Sequence, residues 1–268
     1  MPRDDEAARQ SPTPLFVRNK HQKLSHVRTP LDQGLTVRIP LIEELTTGPV
    51  PQGTNLLVEF DPASQWFNAS LTIAVGWIKS GGKVSYSVST QPPESIRLKL
   101  KRQGLDPRTL EEEGNLRIWD WYTAALGQKS NEPFAIGSMK VSDLSIFYSQ
   151  EQLRGPPLPT SLNIIDDGSI LARFNEEKNW VEFSLTRIIP MAKFRNTTII
   201  ASLIKGVHSD WVYKRFEAAA DGVVDFKLDE TSDPAQDLIR LRSMKDIGFD
   251  ARWHRIKLQE NQQVTLEE

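Results

Sequence analysis

The chain contains no cysteine. Disulfides, thiolate nucleophiles and Cys-ligated zinc or iron–sulfur centres are therefore excluded. Histidine is nearly as scarce. His21, His26, His208 and His254 are the only four, and their spacing matches no HExxH or other ligand pattern, so no metal site is expected. No apolar run is long enough to cross a bilayer. The opening residues, Met1 to Pro14, carry charge where a secretory signal needs an apolar stretch. A cytoplasmic location without membrane contact is the resulting expectation. Excess charge is absent too: 33 basic against 35 acidic residues leave a net charge of −2. Such a balance gives no long-range field toward nucleic acid or membrane, so any such contact has to be local. Glycine, finally, is missing from the whole stretch between Gly53 and Gly76.

What is present suits one globular domain with tails: 268 residues, of which 38% are hydrophobic. Residues 1–36 are polar, carry scattered proline and show no sustained period, and are expected to form a flexible N-terminal tail. Within them Arg18, Lys20, Lys23 and Arg28, with His21 and His26, form a basic cluster. A solvated tail accounts for it, and a nucleic-acid arm is the alternative. Phe16 and Val17 are the one apolar spot there. Residues 37–260 form the domain, and 261–268 a C-terminal tail.

The body alternates strand and helix signals. Asn55–Phe60 is a short apolar run suited to a buried strand. Phe67, Leu71, Ala74, Val75 and Ile78 recur at helical spacing, and Gly81-Gly82 closes that helix. Lys83–Val88 alternates as a strand. Pro93 opens the next helix, with Glu94 in its first turn, and Gly104 ends it. Asn115–Trp119 and Leu162–Asp166 read as further strands, the second preceded by the loop Arg154–Pro159. Asn175 with Glu176-Glu177 predicts a capped, acidic helix start, and Pro190 a kink or an early end. Thr197–Leu203 is β-branched and uncharged, a strong strand signal. A helix near Trp211–Ala219 is followed by closely spaced strands at Gly222–Leu228, Asp237–Ser243 and Arg252–Leu258. Together these predict an α/β fold: a mostly parallel twisted sheet flanked by helices, with antiparallel strands at its C-terminal edge.

Several stretches, in order, resemble the KaiC/GvpD/RecA-like family of P-loop ATPases. Ile42–Leu45 and Gly48–Gly53 are similar to the family's lead-in to its first strand. Met139–Ser145 resembles a segment before the Walker B strand, and Ile164–Ser169 sits where that strand ends. Gly206–Ser209, Ala220–Val223 and Arg252-Trp253-His254 are similar to late family passages. The resemblance covers about Val37 to Leu258 and implies a RecA-like core.

It also implies an ATP site that this chain does not supply. A P-loop, GxxxxGK[ST], needs glycines so that amides can close around phosphate, a lysine for the β/γ charge and a hydroxyl for Mg²⁺. The matching window here is Phe60 to Phe67. Phe60 and Gln65 replace the glycines, Trp66 the lysine and Phe67 the Ser/Thr. No shift of register helps, because no glycine is at hand. The family's paired glutamates after the second strand correspond to Thr90 and Gln91, neither of which is a general base at neutral pH. Asp166 stands at the Walker B carboxylate as a remnant; without phosphate or hydroxyl beside it, Mg²⁺ has too few ligands. A late basic pair that faces the neighbouring protomer in ring-forming relatives maps to Arg242–Lys245, with Arg242 and Lys245 as possible protomer-interface residues.

No other chemistry stands out. Ser202 and His208 lack a GxSxG elbow, and Trp119 and Trp121 share a sheet face. Trp211 and Tyr213 beside Lys205 and Lys214 form either an aromatic–basic surface or plain packing. The expectation is a pseudo-ATPase that uses no cofactor and acts as a regulatory or scaffolding interaction protein. The resemblance implies assembly as a homo-oligomer or as a hetero-oligomer with a KaiC-family paralogue. Two alternatives stay open: an ATPase with an unconventional nucleotide site, and a recombinase-paralogue-like nucleic-acid binder.

Overall fold

The computed structural model describes residues 36–152 and 161–267. The expected N-terminal tail, apart from Thr36, and the Arg154–Pro159 loop lie outside the described residues. A short antiparallel ribbon joins β1 (Thr36–Val37) to β2 (Val50–Pro51). The main sheet is built on β3 (Asn55–Phe60), whose six residues are all buried. Helix α1 (Trp66–Lys79) leads to β4 (Lys83–Val88), and α2 (Pro93–Arg102) and α3 (Pro107–Glu112) lead to β5 (Leu116–Asp120). After α4 (Tyr122–Ala125) and α5 (Val141–Gln152) come β6 (Ser161–Ile165), α6 (Glu177–Phe183), α7 (Ile189–Phe194) and β7 (Thr198–Ile204). Helix α8 (Asp210–Ala219) precedes β8 (Gly222–Asp229), β9 (Gln236–Met244), β10 (His254–Leu258) and β11 (Val264–Leu266).

Among the described residues the main sheet has nine strands in the order β11-β10-β9-β8-β3-β7-β6-β4-β5. Pairing is parallel from β8 across to β5 and antiparallel from β8 out to β11. This is the mostly parallel sheet with an antiparallel C-terminal edge that the element pattern predicts. Val264 is buried and β11 pairs with β10, so the sheet runs into the segment expected to be a tail.

Alternation along β3 separates two cores. Leu56, Val58 and Phe60 face one side with α1 and α2, whereas Leu57 faces the side of α6 and α8. Helix α1 buries Trp66, Ala69, Ser70, Ile73, Ala74 and Trp77, the stripe that a 3.6-residue period places on one face. It ends in a Schellman turn: Gly82 N–H donates to Trp77 O at 3.0 Å and Gly81 N–H to Ile78 O at 2.9 Å. Gly81 supplies the positive φ, +87°, that the turn needs.

Gly76, inside the same helix, is there for space. A Cβ would stand 2.3 Å from Pro40 Cγ. Alanine gains about 1 kcal/mol of helix propensity, but overpacking a filled site costs about 1–3 kcal/mol. The clash should win, because Pro40 is a stiff ring. Gly76→Ala is expected to lower stability by about 1 kcal/mol net, measured by urea unfolding; a gain would mean that Pro40 yields freely.

Two local expectations are corrected. Asn175 does not cap α6. Its carboxamide oxygen accepts from Val141 N–H at 2.8 Å, and its amide donates to Met139 O and Leu171 O, tying the start of α5 to the turn before α6. Pro190 does not end its helix. Lacking an N–H, it is accommodated by a π turn over Ser184–Ile188, in which Ile189 N–H reaches back to Ser184 O, and α7 continues beyond.

Candidate functional site

The place where a nucleotide would sit is framed as a P-loop requires. The central strand β3 ends at Phe60, residues 61–65 turn, and α1 begins at Trp66. Several of the turn's polar groups are already engaged within the chain. Asp61 N–H donates to Phe226 O at 3.0 Å, and Ser64 gives both its N–H and its hydroxyl to Asp61 O. Asp237 takes hydrogen bonds from the backbone and side chain of Gln65, while burial still raises its pKa. Amides spent this way do not form the nest that holds phosphate.

Trp66 fills the remaining space. Its side chain is wholly buried over the C-terminal ends of four parallel strands. The indole Nε1–H donates to Asp166 O at 2.8 Å, beyond β6, and to Ser202 Oγ at 3.0 Å, on β7. Its ring lies 5.4 Å from that of Phe226 on β8 and 6.2 Å from that of Phe60 on β3. Phe67 meets Phe60 edge-on at 5.3 Å. An aromatic cluster thus stands at the residues that the resemblance matches to a cation and a hydroxyl.

Asp166 is fully buried behind this plug. One carboxylate oxygen accepts from Ser89 N–H at 2.9 Å and Ser89 Oγ at 2.8 Å; the other accepts from Thr90 Oγ1 at 3.0 Å. Burial pushes its pKa up to about 6, against the pull of these hydrogen bonds. Among the described residues no Lys or Arg forms an ion pair with it. Thr90, at a position where the family carries glutamate, therefore serves Asp166, and Gln91 follows in the turn before α2. Asp167 turns away, accepting Ser169 N–H at 2.9 Å. No group of three or more acidic or histidine side chains suited to a metal occurs among the described residues. The residues present do not fit a nucleotide–Mg²⁺ complex.

The structure clusters Phe60, Trp66 and Phe67 and sets Trp66 and Thr90 on Asp166, while Gln65 turns to Asp237. It does not bring Arg242 and Lys245 to the same place. Arg242 is committed within the chain, 2.8 Å from both Glu59 and Glu217 and 3.5 Å from Asp225. Lys245 is exposed just past β9, its N–H on Asp221 O beside the N-terminal ends of β3 and β8. Ser202 and His208 are not a catalytic pair. The Ser202 hydroxyl is sealed between Trp66 and Asp166 O, while His208 packs on Trp180 and Tyr213. Tyr213 is structural, donating to Ile204 O at 2.6 Å. Lys205 faces Asp225 and Trp253, a tryptophan whose sequence neighbours point to no role. On the opposite face of the sheet, beside the π turn, lies an apolar cavity of about 50 Å³ lined by Leu57, Trp180, Phe183, Ile188 and Ala201.

Among solved structures the chain is similar to the KaiC-like protein PH0186 of the hyperthermophilic archaeon Pyrococcus horikoshii, with a TM-score of 0.63. The match covers 88% of this chain and 99% of that one, at 18% identity. The fold is KaiC/RecA-like. No family model matches the sequence, and neither does any curated protein. Within this KaiC/RecA-like domain β3, residues 61–65 and α1 form a strand–turn–helix unit with Trp66 buried at the start of its helix. Among the described residues no helix is long and apolar enough to cross a membrane.

Proposed function

We propose that the chain is a pseudo-ATPase, a KaiC/RecA-like domain that works by binding partners and does not hydrolyse nucleotide. The observation that carries this reading is the Trp66 indole, wholly buried and hydrogen-bonded to Asp166 O and Ser202 Oγ where a phosphate-binding lysine would stand. Seating a triphosphate there means desolvating it without a compensating cation, a penalty of several kcal/mol. Thr90 and Gln91 offer no general base for the attacking water.

The biological role we assign is regulatory or scaffolding, through assembly with itself or with a catalytically competent paralogue of the same fold. Solution mass, measured alone and with such a paralogue, tests the assembly: a strict monomer under both conditions counts against it. For the site the test is thermal. A ligand at about 100 times its dissociation constant stabilises by about 2.7 kcal/mol, which for a domain of this size raises the melting temperature by roughly 5–10 °C. Millimolar Mg-ATP is expected to leave the transition where it is. A rise of several degrees would return the chain to the ATPases.

A further inference from the structure

Near the end of β3 two carboxylates stand side by side. Glu59 of β3 and Asp225 of β8 are in register on adjacent strands, so they project to the same face, opposite Phe60 and Phe226. Both are buried. A β-bulge in β9 brings the cation that serves them. Val223 pairs with Ser243 and Val224 with Leu241, which leaves Arg242 as the extra residue; bulges re-aim side chains in this way. Arg242 reaches across β8, and its Nη2 stands 2.8 Å from Glu59 Oε1 and 2.8 Å from Glu217 Oε1 on α8.

One nitrogen thus lies between a carboxylate of the sheet and a carboxylate of a helix, and it serves neither well. Glu59 Oε1 and Arg242 Nη2 are buried and close, yet neither has a properly aligned hydrogen bond. Asp225 Oδ1 also lacks one, with Lys205 Nζ 3.2 Å away. Among the described residues, the charged groups around Glu59 are Arg242 and Arg240 of β9, Asp225 of β8, Lys205 past β7 and Glu217 of α8. Two of the cations are spent elsewhere. Arg240 and Lys205 are held by Asp225 and lie over the Trp253 rings at 4.4 and 5.9 Å, where Lys227 joins them at 4.6 Å. Tyr213, one turn before Glu217, gives its hydroxyl to Ile204 O.

We propose that Glu59, Arg242 and Glu217 form a proton-operated latch between the central strand and helix α8, closed when Glu59 carries a proton and slack when it is ionised. The ionised carboxylate competes with Glu217 for one guanidinium nitrogen and repels it. A protonated Glu59 leaves Arg242 to Glu217 and donates its own O–H to Asp225 Oδ1, the neighbour in register that lacks a hydrogen bond. The latch works near neutrality. Burial holds the Glu59 pKa up to about 7, against the pull of Arg242 and with Glu217 and Asp225 adding to the rise. Because that value lies above the unfolded one, the grip on α8 is complete below the unfolded pKa and fades as pH rises through the native one.

Hydrogen exchange of the full chain at about pH 6 and about pH 8 tests this, with each rate divided by the intrinsic rate at that pH. If Glu59 returns to an ordinary carboxylate in the slack state, amides of α8 should lose about 10-fold in protection over this interval, while those of β3 and β7 hold. Glu59→Gln has no proton to lose and should keep α8 equally protected at both. Glu217→Gln, at the half-buried end of the contact, should give α8 a low protection that no longer depends on pH. Unchanged protection of α8 in wild type overturns the latch. A loss shared equally by β3 and β7 does so too, since Glu59 would then act on global stability alone. So does a pH response of α8 that survives in Glu59→Gln, which would assign it to His208, packed on Tyr213, or to Asp166. Should Glu59→Gln fail to fold, Glu217→Gln decides alone: a pH response equal to that of wild type overturns the assignment.

Discussion

Replacing Trp66 with alanine is expected to lower the unfolding free energy by about 4 kcal/mol and the melting temperature by roughly 8–16 °C. The side chain is wholly buried, and its rings touch Phe60 and Phe226, so truncation removes contact area on both sides and leaves a cavity. Hydrogen bonding contributes little to the loss. Ser202 Oγ already donates to Asp166 O at 2.6 Å, so the carbonyl keeps a partner after the indole is gone. The hole does not become a nucleotide site. Phe60 and Gln65 still stand where glycines are needed, and the turn amides remain bonded to Phe226 O and Asp61 O. Trp66→Ala and Trp66→Lys should therefore both stay insensitive to Mg-ATP in the same melting assay, with the lysine variant the less stable because its ammonium enters a dry aromatic pocket. An alanine variant within about 1 kcal/mol of wild type would show that the indole is not part of the core.

The parts of this fold that were legible in sequence are those where one physical signal dominates. Strand β3 reads from six consecutive buried residues, and α1 from its apolar stripe and its Gly81-Gly82 stop. The window from Phe60 to Phe67 stands out in sequence because a P-loop tolerates so few residue types that Trp66 and Phe67 do not fit one. What escaped was set by tertiary contacts. Helix α5 packs Val141, Leu144, Phe147 and Tyr148 against the core, a stripe blurred in sequence by Ile146, which is apolar yet 61% exposed on the other side. Strand β11 is three residues long and takes its place only by pairing with β10. Asn175 has the composition of a helix cap, yet spends its carboxamide on Val141, Met139 and Leu171, a choice made by how α5 packs. Trp253 was one of seven tryptophans, and its cations come from β8, β9 and the end of β7, far apart in sequence. Arg242 reads as a free charge until Glu59 and Glu217 are found beside it.

Asp166→Asn is expected to change the pH dependence of stability more than stability itself at low pH. Burial raises the native pKa of Asp166 to about 6, above its unfolded value. Between about pH 4 and 6 the native state thus holds a proton that the unfolded state has lost. The stabilisation from this proton is fully present below the unfolded pKa and disappears as pH rises through the native one. By pH 7.5 the ionised, buried carboxylate costs wild type about 2 kcal/mol relative to pH 4. Asparagine carries no such proton, so the variant should gain on wild type by about that amount over the same interval. Glu59, whose pKa burial also raises to about 7, titrates in both proteins and cancels from the difference. Ser89 can donate to the carboxamide oxygen of the variant as it does to the carboxylate, and the Thr90 hydroxyl can turn to accept from the carboxamide nitrogen. Paired urea unfolding curves from pH 4 to 7.5 measure the gap; a constant difference across that range would mean that Asp166 stays ionised throughout. Mg²⁺ sharpens the comparison, because an ion bound at a Walker B carboxylate stabilises the ionised form. Metal-dependent stabilisation of wild type alone would make Asp166 a working ligand, whereas equal curves with and without Mg²⁺ follow if Ser89 and Thr90 have taken the metal's place.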